Sequence, residues 1–277
     1  MTVSVNRSIE FGAAVWLLAS ANASAQSDRP ALDVHFVPTP QQVVDRMLAM
    51  AKVTKDDFVI DLGSGDGRIV ITAAQKFGAH GMGVDLDPQR IKEATENKQK
   101  AGVGDKVEFR QANLFETDLS KATVLTMYLL PRLNIQLRPL LLDLKPGTRL
   151  ASHAFHMGEW KPDRHERVEG SSDAYHWVVP AKVAGRWQID DGKNKIEIEL
   201  NQQFQEIQGI ARNGNITTLL RETSLNGAEI GFVVELEAGQ PRTFRGRVSG
   251  NKIEALPAEA GANSAKPAGT WTASRVN

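Results

Sequence analysis

The residues best suited to chemistry stand together in the turn Asp61-Leu62-Gly63-Ser64-Gly65-Asp66-Gly67-Arg68, and Asp85 closes the next apolar run. Glycines at alternate positions let the main chain turn sharply and let a ligand press against backbone N–H groups that no Cβ covers. An acidic side chain about twenty residues beyond such a turn can accept hydrogen bonds from both hydroxyls of a ribose. The pairing describes a cradle for a ribose-containing cofactor. Asp85 could instead cap the helix that starts near Pro88, but Asp87 is better placed for that.

Such a cradle needs a strand before it and a helix after it. Phe58 to Leu62 is a short apolar run that suits a strand buried on both faces, and Ile69 to Phe77 resumes with helical spacing. A dinucleotide fingerprint would require glycine or alanine where Arg68 stands, which argues against NAD and a dehydrogenase. The pattern D-x-G-x-G-x-G instead resembles motif I of the class I S-adenosylmethionine-dependent methyltransferases.

The elements that must hold these residues alternate along the chain. Val43, Val44, Met47, Leu48 and Met50 give one apolar stripe to a helix that runs from Pro40 to about Lys52, with Thr39 as its expected N-cap. A helix over Pro88 to Ala101 and strands over Lys106 to Arg110, Ala122 to Tyr128 and Thr148 to Phe155 follow, with a helix over Pro131 to Leu142 between the last two. The order predicts an α/β fold with a doubly wound, Rossmann-like parallel sheet. Ligand-binding residues should then collect at the strand ends nearest Gly65, Asp85, Asn113 and Tyr128.

From His35 to Arg167 the chain resembles the methyltransferase branch that holds archaeal protein-lysine methyltransferases and the mitochondrial enzymes that methylate a lysine of the ATP synthase c-subunit. The shared stretches are Phe36-Val37-Pro38-Thr39-Pro40, the glycine turn, Met127-Tyr128-Leu129-Leu130-Pro131, and Lys145-Pro146-Gly147 through His153. The resemblance implies S-adenosyl-L-methionine as cofactor and a lysine or other amine as methyl acceptor. It implies that Thr39, Asp61 and the main chain around Gly63, Ser64, Gly65 and Gly67 hold the methionine end. Asp85 would take the ribose, Asn113 and Leu114 the adenine, and Tyr128 would face the methyl group as the catalytic residue. Two departures stand out: Asn113 replaces the aspartate frequent at the adenine position, and Tyr128-Leu129-Leu130-Pro131 replaces the Asn/Asp-Pro-Pro-Tyr tetrad of amide and nucleobase N-methyltransferases. The second makes a nucleic-acid acceptor unexpected.

With 33 basic and 33 acidic residues the chain has no compositional pull toward nucleic acid or an anionic membrane, and with no cysteine it has no disulfide or thiolate chemistry. His153 and His156 lack a third ligand at metal-binding spacing and read as structural or substrate-positioning groups. Trp160, Tyr175 and Trp177 read as sheet-edge packing. Met1 to Ala25, with Arg7 ahead of the apolar run Phe11 to Ala19 and Ala23-Ser24-Ala25 before Gln26, reads as a signal peptide. Export to the periplasm or envelope, with no integral membrane segment after processing, is the expectation. It conflicts with a cofactor made in the cytoplasm, which keeps open a non-catalytic exported binding protein on the same scaffold. After the methyltransferase domain at 26–181, residues 182–277 change character. Short alternating strands separated by Asn213-Gly214, Asn226-Gly227 and Ser249-Gly250-Asn251 predict a small antiparallel barrel-like domain without a catalytic set.

Overall fold

The computed structural model describes residues 1, 36–168, 170, 172–237, 239–257 and 266–276. Residues 2–25 of the expected leader, His35 and residues 258–265 lie outside the described residues.

The glycine turn does join a strand to a helix. β1 (Phe58–Leu62) leads through it into α2 (Arg68–Phe77), preceded by α1 (Gln41–Met50). There follow β2 (His80–Asp85), α3 (Pro88–Lys100), β3 (Val107–Gln111), β4 (Val124–Met127), α4 (Pro131–Leu142) and β5 (Arg149–His153). Two further strands, β6 (Arg164–Arg167) and β7 (Asp173–Val178), complete a sheet of order β3-β2-β1-β4-β5-β7-β6. β1 to β5 run parallel, β7 pairs antiparallel with β5, and β6 pairs antiparallel with β7. Strand β6 has no counterpart among the expected elements, because its Arg-His-Glu-Arg carries no apolar alternation. An edge strand needs none, and charge there discourages pairing with another chain.

Side-chain alternation on the strands sorts the core into two layers. Val59 and Val124 join Val43, Val44, Met47 and Leu48 of α1 with Ile69 and Ala73 of α2. Ile60, Leu62, Leu125 and Met127 join Leu133, Leu137 and Leu141 of α4 with Trp160 and Trp177. Both tryptophans are fully buried, and Trp177 Nε1 donates to Trp160 O at 2.9 Å.

Strands β8 (Gly185–Asp190), β9 (Lys195–Gln203), β10 (Glu206–Asn213), β11 (Ile216–Leu219), β12 (Arg221–Asn226), β13 (Glu229–Val234), β14 (Arg242–Ser249), β15 (Lys252–Ala255), β16 (Lys266–Pro267) and β17 (Thr272–Val276) make the second sheet. Its path, β11-β10-β9-β8-β17-β15-β14-β13-β12, brings its ends together, where Thr223 Oγ1 donates to Ile207 O at 2.7 Å and Leu220 N to Gly209 O at 2.9 Å. The result is a nearly closed antiparallel barrel filled by Trp187, Phe232, Phe244 and Trp271. The single strand expected over Ile216 to Thr223 is two, because the chain changes partner at Leu220, so that β11 pairs with β10 and β12 with β13; within β12 Glu222 has φ +49° and the pairing slips between Arg221 and Ser224. Both sheets belong to one compact unit, and the joining residues Val179, Ala181 and Val183 are themselves buried.

Candidate active site

The carboxyl ends of the parallel strands converge on one cavity of about 430 Å³. Thr39, Asp61, Gly63, Ser64, Asp85, Asn113, Leu114 and Tyr128 all line it. Leu129, Leu130, Leu133 and Phe155, from beyond β4 and β5, line it as well, and Leu129 packs against Gly63. Open α/β sheets place ligands at this edge because the strand ends there deliver both backbone donors and short loops.

Asp61, at the end of β1, is buried, and its carboxyl accepts from Thr126 Oγ1 at 2.7 Å. The two residues are direct neighbours in the β1–β4 register. Burial, reinforced by the charges of Asp85 and Asp66 and only partly offset by the Thr126 bond, pushes the Asp61 carboxyl up to about 7. Ser64 Oγ is also buried and, among the described residues, has no hydrogen-bond partner. A cavity that holds an unpaired hydroxyl and a reluctant carboxylate fits a ligand that brings positive charge and hydrogen-bonding groups.

Asp85 is held ready by the main chain: its carboxyl accepts from Gly65 N at 2.9 Å and from Asp87 N at 3.0 Å. Asp87, as expected, caps α3, accepting from Gln89 N at 2.8 Å. Asn113 is engaged locally, with Oδ1 accepting from Phe115 N and Nδ2 donating to Glu116, both at 3.0 Å. An adenine at this edge therefore shares Oδ1 with Phe115 N or uses the main chain of Leu114.

Gly65 and Gly67 stand behind the cavity rather than on it. The position of a Gly65 Cβ lies 2.3 Å from the Phe36 ring, so a side chain there would collide with Phe36 and not with a ligand. Phe36 itself lines the cavity and sits under the Arg90 guanidinium, 4.6 Å from its centroid. Thr39 also differs from expectation. The N-cap of α1 is Pro40, whose carbonyl accepts from Val43 N and Val44 N, and no side chain caps this helix. The Thr39 hydroxyl is instead hydrogen-bonded to His153 Nδ1 at 3.2 Å, and Arg68 Nη1 donates to Thr39 O at 3.0 Å. Thus the segment Phe36 to Pro40 is tied across the cavity from three sides.

Tyr128 follows β4 and packs on His153, ring centroids 3.8 Å apart, with Phe155 at 6.2 Å and nearly parallel. Burial lowers the His153 imidazole to about 4, so it is neutral at ordinary pH. Among the described residues no group of His, Asp and Glu side chains could hold a metal ion. Phe36, though it opens the shared stretch Phe36 to Pro40, carries no expected role there, and Phe155 and Asn134 serve this site from positions without a motif.

The comparisons with known proteins agree with this geometry. Residues 61–164 match the ANTKMT methyltransferase domain model. A protein-lysine N-methyltransferase of Saccharolobus islandicus is 49% identical over 138 residues, which are 49% of this chain and 86% of that protein. The mouse ATP synthase c-subunit lysine N-methyltransferase is 30% identical over 53% of this chain, which spans 59% of that protein. Among solved structures, one described as an RNA methyltransferase from Salinibacter ruber in complex with S-adenosyl-L-homocysteine is 54% identical, with a TM-score of 0.52, and covers 53% of this chain and 96% of its own. The barrel lies outside the family model's match. A non-catalytic binding protein receives no support from these matches. The chain is an enzyme that uses S-adenosylmethionine, and it belongs to the protein-lysine methyltransferase family.

Proposed function

We propose that the enzyme methylates the ε-amine of a lysine in a protein acceptor. The observation that carries this reading is the division of the cavity lining: its acids, Asp61, Asp66, Asp85 and Asp87, belong to the ends of β1 and β2 and the turns after them, whereas the segments after β4 and β5 contribute Tyr128, Leu130, Leu133 and Phe155, which are apolar and aromatic. Bound S-adenosylmethionine supplies a methyl carbon already activated by its sulfonium, so the protein's part is placement. Asp61 and the turn from Gly63 to Gly67 would hold the methionine end, and Asp85 the ribose. An ammonium entering against this apolar lining would be desolvated with no carboxylate beside it, which favours loss of its proton to water and leaves a neutral nucleophile. Leu130, Leu133 and Phe155 exclude water and receive the aliphatic stem. The names of the archaeal and mouse relatives support a lysine acceptor.

The description of the Salinibacter protein as an RNA methyltransferase supports a second acceptor class, RNA. Methyl-labelled S-adenosylmethionine incubated with the enzyme and with total protein or total RNA separates them. We expect label in methyllysine after acid hydrolysis of protein; label in methylated nucleosides alone would overturn the lysine reading.

Cofactor binding should also move a proton. With its pKa raised to about 7, Asp61 is largely neutral below that pH in the ligand-free protein. A cation placed beside it favours the carboxylate, so affinity for S-adenosylmethionine is expected to rise from pH 6 to pH 8 with proton release, and Asp61→Asn to remove that slope. The ligand-free protein shows the converse. A folded-state pKa above the unfolded value contributes stability that is lost as pH rises, here through about 7. Calorimetry in buffers of different ionisation enthalpy checks the first expectation and thermal melts across the same range the second.

Export belongs to the proposal as well. Its support is the apolar run Phe11 to Ala19 and the small residues before Gln26, and mass spectrometry of the mature N-terminus tests it. No helix among the described residues is long and apolar enough to cross a membrane.

A further inference from the structure

We propose that Asn134 is a positioning residue of the methyl-transfer site: from α4 it fixes the turn Ser152–Phe155 so that Phe155 forms, with Tyr128, the wall past which the acceptor side chain enters. The lysine reading enters only in the nature of the acceptor.

Asn134 is a polar residue where packing calls for an apolar one. It is fully buried among Leu133, Leu137 and Leu141, on the face that α4 turns to the sheet. Its Nδ2 donates to Phe155 O at 3.1 Å and to Ser152 Oγ at 3.2 Å, while Ser152 Oγ donates to the same Phe155 carbonyl at 2.7 Å. Phe155 O can only accept, so this face of the amide must be its NH₂ group. The opposite atom, Oδ1, is buried and has no partner among the described residues. A leucine would fill the helix face without that penalty. A buried amide that breaks the packing rule and leaves one atom unpaired is the kind of local conflict found at functional positions.

The turn it grips is itself strained. Ala154 has φ +62°, a left-handed conformation that side chains disfavour, between Ala154 N donating to Asp173 O at 2.7 Å and Phe155 N donating to His153 O at 2.8 Å. One helical turn along α4 from Asn134, Arg138 Nη1 donates to Met157 O at 3.0 Å. Positions 134 and 138 thus hold alternate carbonyls of one loop, as residues four apart on a helix can. The outcome is the Phe155 ring lining the cavity 6.2 Å from Tyr128. The Arg138 guanidinium lies 5.3 Å from the ring of Phe204, from the turn between β9 and β10, so the barrel buttresses the same loop.

The test uses Asn134→Leu in the full chain. We expect a melting temperature equal to or above that of the parent and affinity for S-adenosylhomocysteine within twofold by calorimetry. Turnover on the protein acceptor labelled above should fall at least tenfold, and the crystal structure with S-adenosylhomocysteine should show Phe155 withdrawn from Tyr128. Ser152→Ala, which removes one of the two bonds and little volume, should give a smaller fall in kcat with the same unchanged cofactor affinity. Unaltered turnover, or a loss of turnover matched by equal losses in melting temperature and cofactor affinity in both variants, would overturn the proposal. If the parent labels no protein, the lysine reading fails instead, and the position of Phe155 still decides: an unmoved ring in Asn134→Leu refutes the role.

Discussion

Asp85→Ala is expected to weaken binding of S-adenosylmethionine about 100-fold, which corresponds to about 2.7 kcal/mol. Two losses combine in that figure. The first is a charged acceptor for the ribose hydroxyls, for which hydrogen bonds to an ionised group contribute about 1.5–3 kcal/mol. The second is the preorganisation of the glycine turn, since the same carboxylate accepts from Gly65 N and Asp87 N and sets both the turn and the start of α3. Asp85→Asn separates them, because an amide oxygen keeps one acceptor and loses the charge. It should therefore retain measurable binding while Asp85→Ala does not at the same ligand concentration. Equal affinity in parent and both variants, measured by calorimetric titration, would remove Asp85 from the site.

Gly67→Val should be the most damaging single change in the cofactor half, and it should act through the fold. Gly67 is the N-cap of α2 with φ +81°, and the position of its Cβ lies 2.4 Å from the Phe109 ring and 3.0 Å from Ala94 Cβ. A β-branched residue there meets a disfavoured backbone conformation and overpacks the junction of α3 with β3. Each effect costs about 1–3 kcal/mol, so destabilisation of about 3 kcal/mol or more is expected. Urea denaturation measures it, with the prediction that the midpoint falls and the slope is unchanged. Gly65→Val differs in kind: it displaces Phe36 from the cavity rim, so cofactor affinity should fall more than stability.

The cofactor half of the site is legible in the sequence because its chemistry is backbone chemistry. Gly63, Gly65 and Gly67 all have positive φ, at 75°, 52° and 81°, and that requirement is written locally in residue type. Asp61 and Asp85 are legible for a related reason, as each ends an apolar run whose strand character is plain. The acceptor half is not, because it is assembled from distant segments. Phe155 reaches the cavity through a turn that Asn134 holds from another element, and neither residue belongs to a local pattern. Thr39 shows the limit of a local rule. Threonine before Pro40 is a good cap on propensity alone, but the buried His153, 114 positions away, claims its hydroxyl. The change of partner at Leu220 and the charged edge strand β6 are hidden for the same reason, since both are fixed by pairing partners.

The most direct test of the account is the structure of the complex with S-adenosylhomocysteine. In that complex the ribose hydroxyls are expected on Asp85, the adenine beside Asn113 and Leu114, the amino acid end at Asp61 and Ser64, and the sulfur directed at the Tyr128 and Phe155 wall. A ligand bound in the reverse sense, with adenine against Tyr128 and the sulfur away from Phe155, would contradict it.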